Sequence, residues 1–329
     1  MPLRQLIPLL FLSGALALWG RQMNSRPTHA EEMSTTVHFA IIGDYGAHVI
    51  GQGAAEQAVA NLIASWQPDF IITTGDNNYL LGEAATIDAN IGQYYADYIY
   101  PYTGAYPRNA GLNVNRFFPS LGNHDWYTAN AAAFDAYFTL PGDEHVYDFV
   151  QGPVHFFALD SEPMVSTGVT STQALWLQTQ LAASTTPWQV VYMHHPPYSS
   201  GAAHGSTPLL QWPYRDWGAD VVVSGHNHIY ERVVVEGLPY FINGLGGMSI
   251  QGLGAPIPDS RVRYNADYGA MEVWATPLTM TLQFMTQQGV VIEQCTLWAT
   301  PPANPPAPTG PYVTFFPMVT RDSTGGCTQ

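Results

Sequence analysis

Five short apolar runs in this sequence end in, or just before, a carboxylate, amide or imidazole side chain. Apolar runs of about four to eight residues, rich in β-branched side chains, are typical of buried strands. Helical stretches separate several of them, and this alternation predicts a layered α/β domain. In open α/β sheets ligands bind beyond the carboxyl ends of the strands, so these polar side chains define the candidate site. Strands are predicted at Val37–Ile42, Phe70–Thr73, Arg116–Leu121, Val154–Leu159, Gln189–Met193 and Asp220–Ser224.

Two helices are predicted between these strands, at Ala54–Trp66 and Thr172–Ala183. As expected of a helix that packs on a sheet, the second has a broad apolar face, formed by Leu175, Trp176, Leu177 and Leu181. After residue 238 the pattern changes to four strand-like runs with no helix between them. We expect these runs to form a second, largely antiparallel sheet.

The beginning of the chain is typical of an export signal. Arg4 precedes an uncharged, mostly apolar run, Leu6–Trp19, which is shorter than the roughly 20 residues of a membrane-spanning helix. Small residues offer cleavage after Ala17 or after Ala30, and a signal peptide is predicted over residues 1–30; a buried first helix and an uncleaved anchor are the alternatives. Export to the periplasm or the medium is expected, with no stable membrane partner unless the signal stays uncleaved.

The remaining chain is predicted to form one domain over residues 31–299 and a proline-rich tail over residues 300–329. Its two cysteines, Cys295 and Cys327, lie near the end of the sequence. In an exported protein they can pair and attach the tail to the domain. Two unpaired thiols are the alternative, and the sequence leaves both open.

Charge excludes several classes of function. The 329 residues carry a formal net charge of −15, and every basic residue is arginine. Without lysine there is no Walker-type phosphate loop, no Schiff-base enzyme and no Ser/Lys dyad. An acidic surface repels a polyphosphate backbone, so no nucleic acid partner is expected. An anionic substrate therefore needs a local source of positive charge, such as a metal.

The residues that follow the five runs are of the types that bind metals in proteins. Oxygen and imidazole ligands without thiolate suit Fe, Mn or Zn, and their number exceeds what one tetrahedral ion needs. Two ions about 3.5–4 Å apart stabilise an in-line phosphoryl displacement. A glycine precedes the ligand in four of the five motifs, and we expect it to permit the sharp turn. The candidates are Asp44, Asp76, Asn123, His124, Asp125, His194, His195, His226 and His228, with Tyr79 three residues after Asp76.

The ordered motifs GDYG, GDNNY, GNHD, VYMH and GHNH resemble the signature of the calcineurin-like metallophosphoesterases, in the form seen in purple acid phosphatases. The sequence is most similar to the tartrate-resistant type, over roughly Val37–Leu297. The resemblance implies a four-layer α/β/β/α sandwich of two mixed sheets flanked by helices. It also implies Fe(III) held by Asp44, Tyr79 and His228, a divalent ion (Fe, Zn or Mn) held by Asn123, His194 and His226, and Asp76 as the bridge between them.

This ligand set gives the acidic chain a local positive charge. Fe(III) and a divalent ion bring +5, two carboxylates and a phenolate bring −3, and a bridging hydroxide leaves about +1 to attract a phosphate dianion. Hydrolysis by direct attack of a metal-bound hydroxide is expected, without a phosphoenzyme. His124 is expected to bind phosphate or protonate the leaving alkoxide, and His204 resembles the family's substrate-side histidine. Asp125 is expected to orient an imidazole, and His195 has no assigned role.

The function expected from these features is an exported acid phosphatase that hydrolyses small phosphate monoesters. A phosphodiesterase that uses the same two metals is the first alternative. A secreted metal-binding or interaction protein without catalysis is the second, although every ligand and His124 are present. The oligomeric state is left open.

Overall fold

The computed structural model describes residues 36–109, 111–163, 165–299 and 326–328. The predicted signal, residues 1–30, and most of the predicted tail lie outside the described residues. Among the helices of the described ranges, none has both the length and the apolar character needed to cross a bilayer.

Strands and short helices alternate through most of the described chain. The strands are β1 (Val37–Ile42), β2 (Phe70–Thr73), β3 (Phe117–Pro119), β4 (Tyr147–Gln151), β5 (Val154–Ala158), β6 (Trp188–Tyr192), β7 (Val221–Ser224), β8 (Tyr230–Val235), β9 (Leu238–Asn243), β10 (Ser260–Tyr264), β11 (Gly269–Ala275), β12 (Thr279–Thr286) and β13 (Val291–Trp298). The helices are α1 (Gly53–Trp66), α2 (Ala84–Ile87), α3 (Gln93–Tyr95), α4 (Asn123–Trp126), α5 (Ala132–Tyr137), α6 (Thr172–Ala183) and α7 (Tyr214–Trp217), with 3₁₀ or π turns at His48–Ile50, Asp88–Gly92, Ala96–Tyr98 and Pro208–Leu210.

The strands form two mixed sheets. The six-stranded sheet has the order β13-β12-β11-β1-β2-β3, and the seven-stranded sheet has the order β10-β8-β9-β7-β6-β5-β4. β1, β2 and β3 run parallel to one another, and so do β5, β6, β7 and β9. This arrangement confirms the predicted fold class.

The strands after residue 238 do not form a sheet of their own, so that expectation is wrong. β9 and β10 extend the seven-stranded sheet, whereas β11, β12 and β13 extend the six-stranded one. β1 is buried over nearly its whole length, so both of its edges need hydrogen-bonding partners. β2 pairs with one edge, and β11 pairs antiparallel with the other, with Phe39 opposite Val273.

Aromatic side chains join the two sheets face to face. Phe39 of β1 and Phe70 of β2 meet Phe156 of β5 edge-on, with ring centroids 5.1 and 5.3 Å apart. Such pairs contribute about 0.5–1.5 kcal/mol each beyond the area that they bury. The inner layer between the sheets is therefore held by contacts between residues distant in sequence.

Helices cover the other faces. Leu177 and Leu181 of α6 share an apolar cluster with Val191 and Val222, whereas Val190 belongs to the cluster between the sheets. Successive residues of a strand point to opposite faces, so α6 lies on the outer face of the seven-stranded sheet. α1 contacts β11 of the six-stranded sheet. The result is the four-layer sandwich.

The end of the chain is attached to this sandwich by a disulfide between Cys295 and Cys327. Gly326 forms a parallel bridge with Thr296 of β13, the neighbour of Cys295. The buried Arg232 of β8 donates to the Cys327 carbonyl at 2.7 Å and to Glu293 at 2.6 Å. The paired alternative for the two cysteines is therefore the one that the structure contains.

Candidate metal centre

Three of the predicted ligands have a left-handed backbone. Asp44, Asp76 and His226 have φ angles of 54°, 54° and 67°. Residues other than glycine rarely adopt this region, and such strain, typically about 1–3 kcal/mol, concentrates at functional sites. The sharp turn after β1, β2 and β7 is therefore made by the ligand itself.

The preceding glycines serve two different purposes. Gly75 also has a positive φ, of 85°. Gly225 does not, but a Cβ at this position would collide with the Asp44 carboxylate and the Thr74 carbonyl. The expectation that glycine permits the turn holds for Gly75, whereas at Gly225 the requirement is for close approach of the backbone.

The side chains of Asp44, Tyr79 and His228 form the first cluster. The Tyr79 hydroxyl lies 3.2 Å from Asp44 Oδ1 and 3.3 Å from His228 Nε2, and the latter two atoms are 3.3 Å apart. All three residues are buried. His228 Nδ1 donates to the Ser249 carbonyl at 2.7 Å, which leaves the lone pair of Nε2 available to bind a cation.

The side chains of Asn123, His194 and His226 form the second cluster. His194 Nε2 lies 3.1 Å from Asn123 Oδ1 and 3.1 Å from His226 Nδ1. His194 Nδ1 donates to the Thr74 carbonyl at 2.8 Å, so its Nε2 is also free to bind a cation. Asn123 and His226 are partly exposed.

Asp76 connects the two clusters through one oxygen atom. Its Oδ2 accepts from the Tyr79 hydroxyl at 2.8 Å and lies 3.4 Å from His194 Nε2. Its Oδ1 accepts from the His124 backbone N–H at 2.9 Å. Oδ2 is therefore the oxygen that faces both clusters, and it is the atom that would bridge two ions.

The spacing within each cluster fits a bound ion. Metals of this class bind N and O ligands at about 2.0–2.2 Å, which places neighbouring ligand atoms roughly 3–3.4 Å apart. The distances of 3.1–3.3 Å within the clusters agree with this range. Ligand atoms of Asp44, Asp76 and His194 also lie within 4.8 Å of one another.

The charges of the buried candidate ligands favour a bound cation. Burial, together with the charges of Asp76 and Asp44, raises the pKa of the Tyr79 phenol well above its usual value. Burial lowers the pKa of His194, but the charge of Asp76 outweighs it and raises this pKa to about 10. Within the described residues, the basic groups within 4 Å of the two carboxylates are histidines. A metal would supply the missing charge and return the phenol and imidazoles to their ligand forms.

The sequence pattern of the calcineurin-like phosphoesterases matches residues 37–230. The chain belongs to this family. Tartrate-resistant acid phosphatase type 5 of Mus musculus is 24% identical over 307 residues, which cover 80% of this chain and 90% of the mouse protein. Purple acid phosphatase 22 of Arabidopsis thaliana is 28% identical over 212 residues, which cover 60% of this chain and 45% of the plant protein.

A solved structure of a relative agrees in fold. The purple acid phosphatase PPD1 from yellow lupin superposes with a TM-score of 0.63 at 17% identity, over 81% of this chain and 54% of the lupin chain. The resemblance predicted from the motifs is confirmed. As a member of this family the chain is a hydrolase, the relatives named here are acid phosphatases, and together with the ligand cluster they support a dinuclear metal phosphatase.

The two candidate catalytic histidines of this phosphoesterase flank different clusters. His124 follows Asn123 on α4, and its ring lies 4.3 Å from the Tyr79 ring. His204 lies exposed on the loop after β6, with its ring 4.0 Å from that of His226. Burial and the charge of His228 lower the pKa of His204. The structure thus places His124 beside Tyr79 and Asp76, and His204 beside His226.

Asp125 does not orient an imidazole, so that prediction is wrong. Its carboxylate accepts from the Gly122 N–H at 2.9 Å and from the backbone and side chain of Asn77 at 2.8–3.2 Å. Asp125 lies on α4, and its side chain turns back to the start of that helix. It fixes the loop that carries Asp76 against the helix that carries Asn123.

Sequence reasoning missed two polar residues beside the ligands. Tyr127 accepts a hydrogen bond from Asn123 Nδ2 at 2.8 Å. Gln251 accepts from the His228 N–H at 3.0 Å and lies 3.4 Å from His204 Nε2. The four-residue spacing of Asn123 and Tyr127 was a usable signal for the first, because residues i and i+4 are neighbours on a helix. Gln251 had no local signal.

Proposed function

We propose that this phosphoesterase is an exported acid phosphatase that hydrolyses phosphate monoesters with one ferric and one divalent ion. The observation that carries the proposal is the pair of three-residue clusters joined by Asp76 Oδ2, which lies 2.8 Å from Tyr79 Oη and 3.4 Å from His194 Nε2. Residues 31–299 are the catalytic domain and residues 300–329 its tail in this proposal.

Each cluster suits one of the two ions. Asp44, Tyr79 and His228 offer two hard anionic oxygens in a buried site, which favours Fe(III). Asn123, His194 and His226 offer neutral ligands at a partly exposed site, which favours a divalent Fe, Zn or Mn. When bound, the two ions attract the phosphate and acidify water enough for it to attack phosphorus at or below neutral pH.

The chain's own residues supply the proton for the leaving group. His124 Nδ1 faces the Leu80 carbonyl at 2.6 Å and must carry a proton there, which leaves Nε2 to hold and deliver the second proton. The imidazole is 24% exposed, so it is within reach of a substrate. His204, whose ring contacts that of His226, is the second candidate for this role.

A secreted metal-binding or interaction protein without catalysis is an alternative function for the same fold. A Plasmodium protein described as the anchor in the inner membrane complex superposes with a TM-score of 0.62 at 20% identity, over 82% of this chain and 90% of its own. That similarity concerns the fold. The complete set of seven candidate ligands, with His124 beside them, favours catalysis for this chain.

Metal analysis of the purified protein, with its visible spectrum, tests the proposal. We expect close to two metals per chain, at least one of them iron, and a charge-transfer band from the ferric phenolate. An active enzyme with a single metal would contradict the two-ion site. Assays on a mono-ester and a bis-ester decide between phosphatase and phosphodiesterase, because only the first should turn over well.

Export is supported by the Arg4 and Leu6–Trp19 pattern and by the disulfide, since disulfides persist in oxidising compartments. Mass spectrometry of the protein made in an export-competent host should find residues 1–30 removed. An intact N-terminus on protein retained in the cytoplasm would contradict export and leave the phosphatase proposal in place.

A further inference from the structure

Tyr127 contacts two residues of the candidate site without being one of its predicted ligands. It directly follows α4, and its side chain is 57% exposed. Its hydroxyl accepts from Asn123 Nδ2 at 2.8 Å, and its ring meets the His124 ring at a centroid distance of 5.1 Å. An aromatic side chain that is this exposed contributes little to a core, so these two contacts are what it offers the protein.

The hydrogen bond acts on the end of Asn123 that cannot bind a metal. An asparagine amide has an oxygen that ligates cations and an NH₂ group that donates. Asn123 Oδ1 faces His194 Nε2 at 3.1 Å, and Nδ2 faces Tyr127. A 180° flip of the amide group would point the NH₂ group, instead of the oxygen, toward the ion.

We propose that Tyr127 is a positioning residue that holds the Asn123 amide with its oxygen toward the divalent ion. By accepting the N–H, the hydroxyl also draws electron density toward Oδ1 and makes it a better ligand. Hydrogen bonds of this kind behind metal ligands commonly change metal affinity by about 10–100-fold. The inference rests on the proposed metal sites, and Tyr127 sets the affinity of one of them.

Tyr127→Phe is the direct test, because it keeps the ring against His124 and removes the acceptor. With Zn²⁺ as the probe, we expect its dissociation constant at the divalent site to rise about 10-fold in a chelator competition. The iron content and the visible band should stay as in the wild type, since Asp44, Tyr79 and His228 are untouched. Tyr100→Phe, at another exposed tyrosine, is the matched control and should bind Zn²⁺ like the wild type.

A double variant separates positioning from a general structural effect. If Tyr127 acts through Asn123, adding Tyr127→Phe to Asn123→Ala should weaken Zn²⁺ binding no further. Additive losses would overturn the inference, and so would wild-type Zn²⁺ affinity in Tyr127→Phe; both would leave the proposed function intact. A wild-type protein that binds fewer than two metals would overturn the inference and the proposed function together.

Discussion

The two halves of the candidate metal centre differ in access to solvent. The half formed by Asp44, Tyr79 and His228 is buried, whereas Asn123 and His226 leave the other half partly open. Closed metal sites in proteins are mainly structural, and catalytic sites keep a position free for water or substrate. The difference suggests that the buried half retains its ion and that the open half exchanges its ion and receives the substrate.

The largest effect should follow a change at the residue that joins the halves. Asp76→Ala removes the one oxygen that faces both clusters, so we expect loss of both ions and a fall in activity beyond the roughly 10²–10³-fold of a single lost transition-state donor. Metal content and phosphatase activity measure this. Asp216→Ala, at an exposed aspartate of α7, is the control. Retention of one ion in Asp76→Ala would mean that the halves bind independently.

A matched pair of histidines separates the halves directly. His226 and His228 lie two residues apart after β7, and each belongs to a different cluster. His226→Ala should lose the divalent ion and keep the visible band, whereas His228→Ala should lose iron and colour; both should lower activity by about 10²-fold or more. Metal analysis with the spectrum checks this. Loss of the same ion in both variants would remove the distinction between the halves.

The side from which the leaving group receives its proton is the next test. If His124 is the general acid, His124→Ala should lose roughly 10²-fold or more on an alkyl phosphate and much less on an aryl phosphate, because a phenolate leaves with little help. His204→Ala serves as the comparison from the open side. Steady-state rates on both esters measure the effect, and equal losses on both esters in both variants would exclude general acid catalysis by either histidine.

The smallest effect on rate is expected at Tyr79. Tyr79→Phe keeps the packed ring and removes the phenolate, so colour should vanish while activity falls less than in the variants above. Tyr95→Phe, a buried tyrosine whose ring contacts Tyr45, should stay coloured. A coloured Tyr79→Phe protein would show that another group produces the band. Thermal unfolding of both variants checks that the fold is kept.

Local pattern predicted the elements better than their assembly. The predicted helix Thr172–Ala183 is found with the same bounds, and its N-cap Ser171 accepts from the Ala174 N–H at 3.2 Å. Leu175, predicted on the apolar face, is 51% exposed, because the helix has more apolar residues than the sheet covers. The late strands divide between two sheets because β11 pairs with the edge of β1 that β2 does not occupy. The sequence pattern of a single strand does not predict its partner.

The candidate ligands were predictable because strand ends converge on one edge of a sandwich and because the motifs resemble a known family. The left-handed backbone of Asp44, Asp76 and His226 could not be predicted, because residues other than glycine adopt it only under tertiary constraint. Asp125, predicted to orient an imidazole because metal-site histidines commonly need such a partner, instead turns its side chain back to Gly122. Adjacency in sequence says little about direction at the first turn of a helix.

The disulfide has a consequence for how separate molecules meet. β13 is the outermost strand of its sheet, and an open strand edge is a template for pairing with another chain. Through its bond to Cys295, Cys327 lies along this edge, where its N–H donates to the Thr296 carbonyl at 3.4 Å. The covalent link thus occupies part of an edge on which a second copy could otherwise add a strand. Reduction of this bond would therefore leave this part of the edge open to pairing with a second copy.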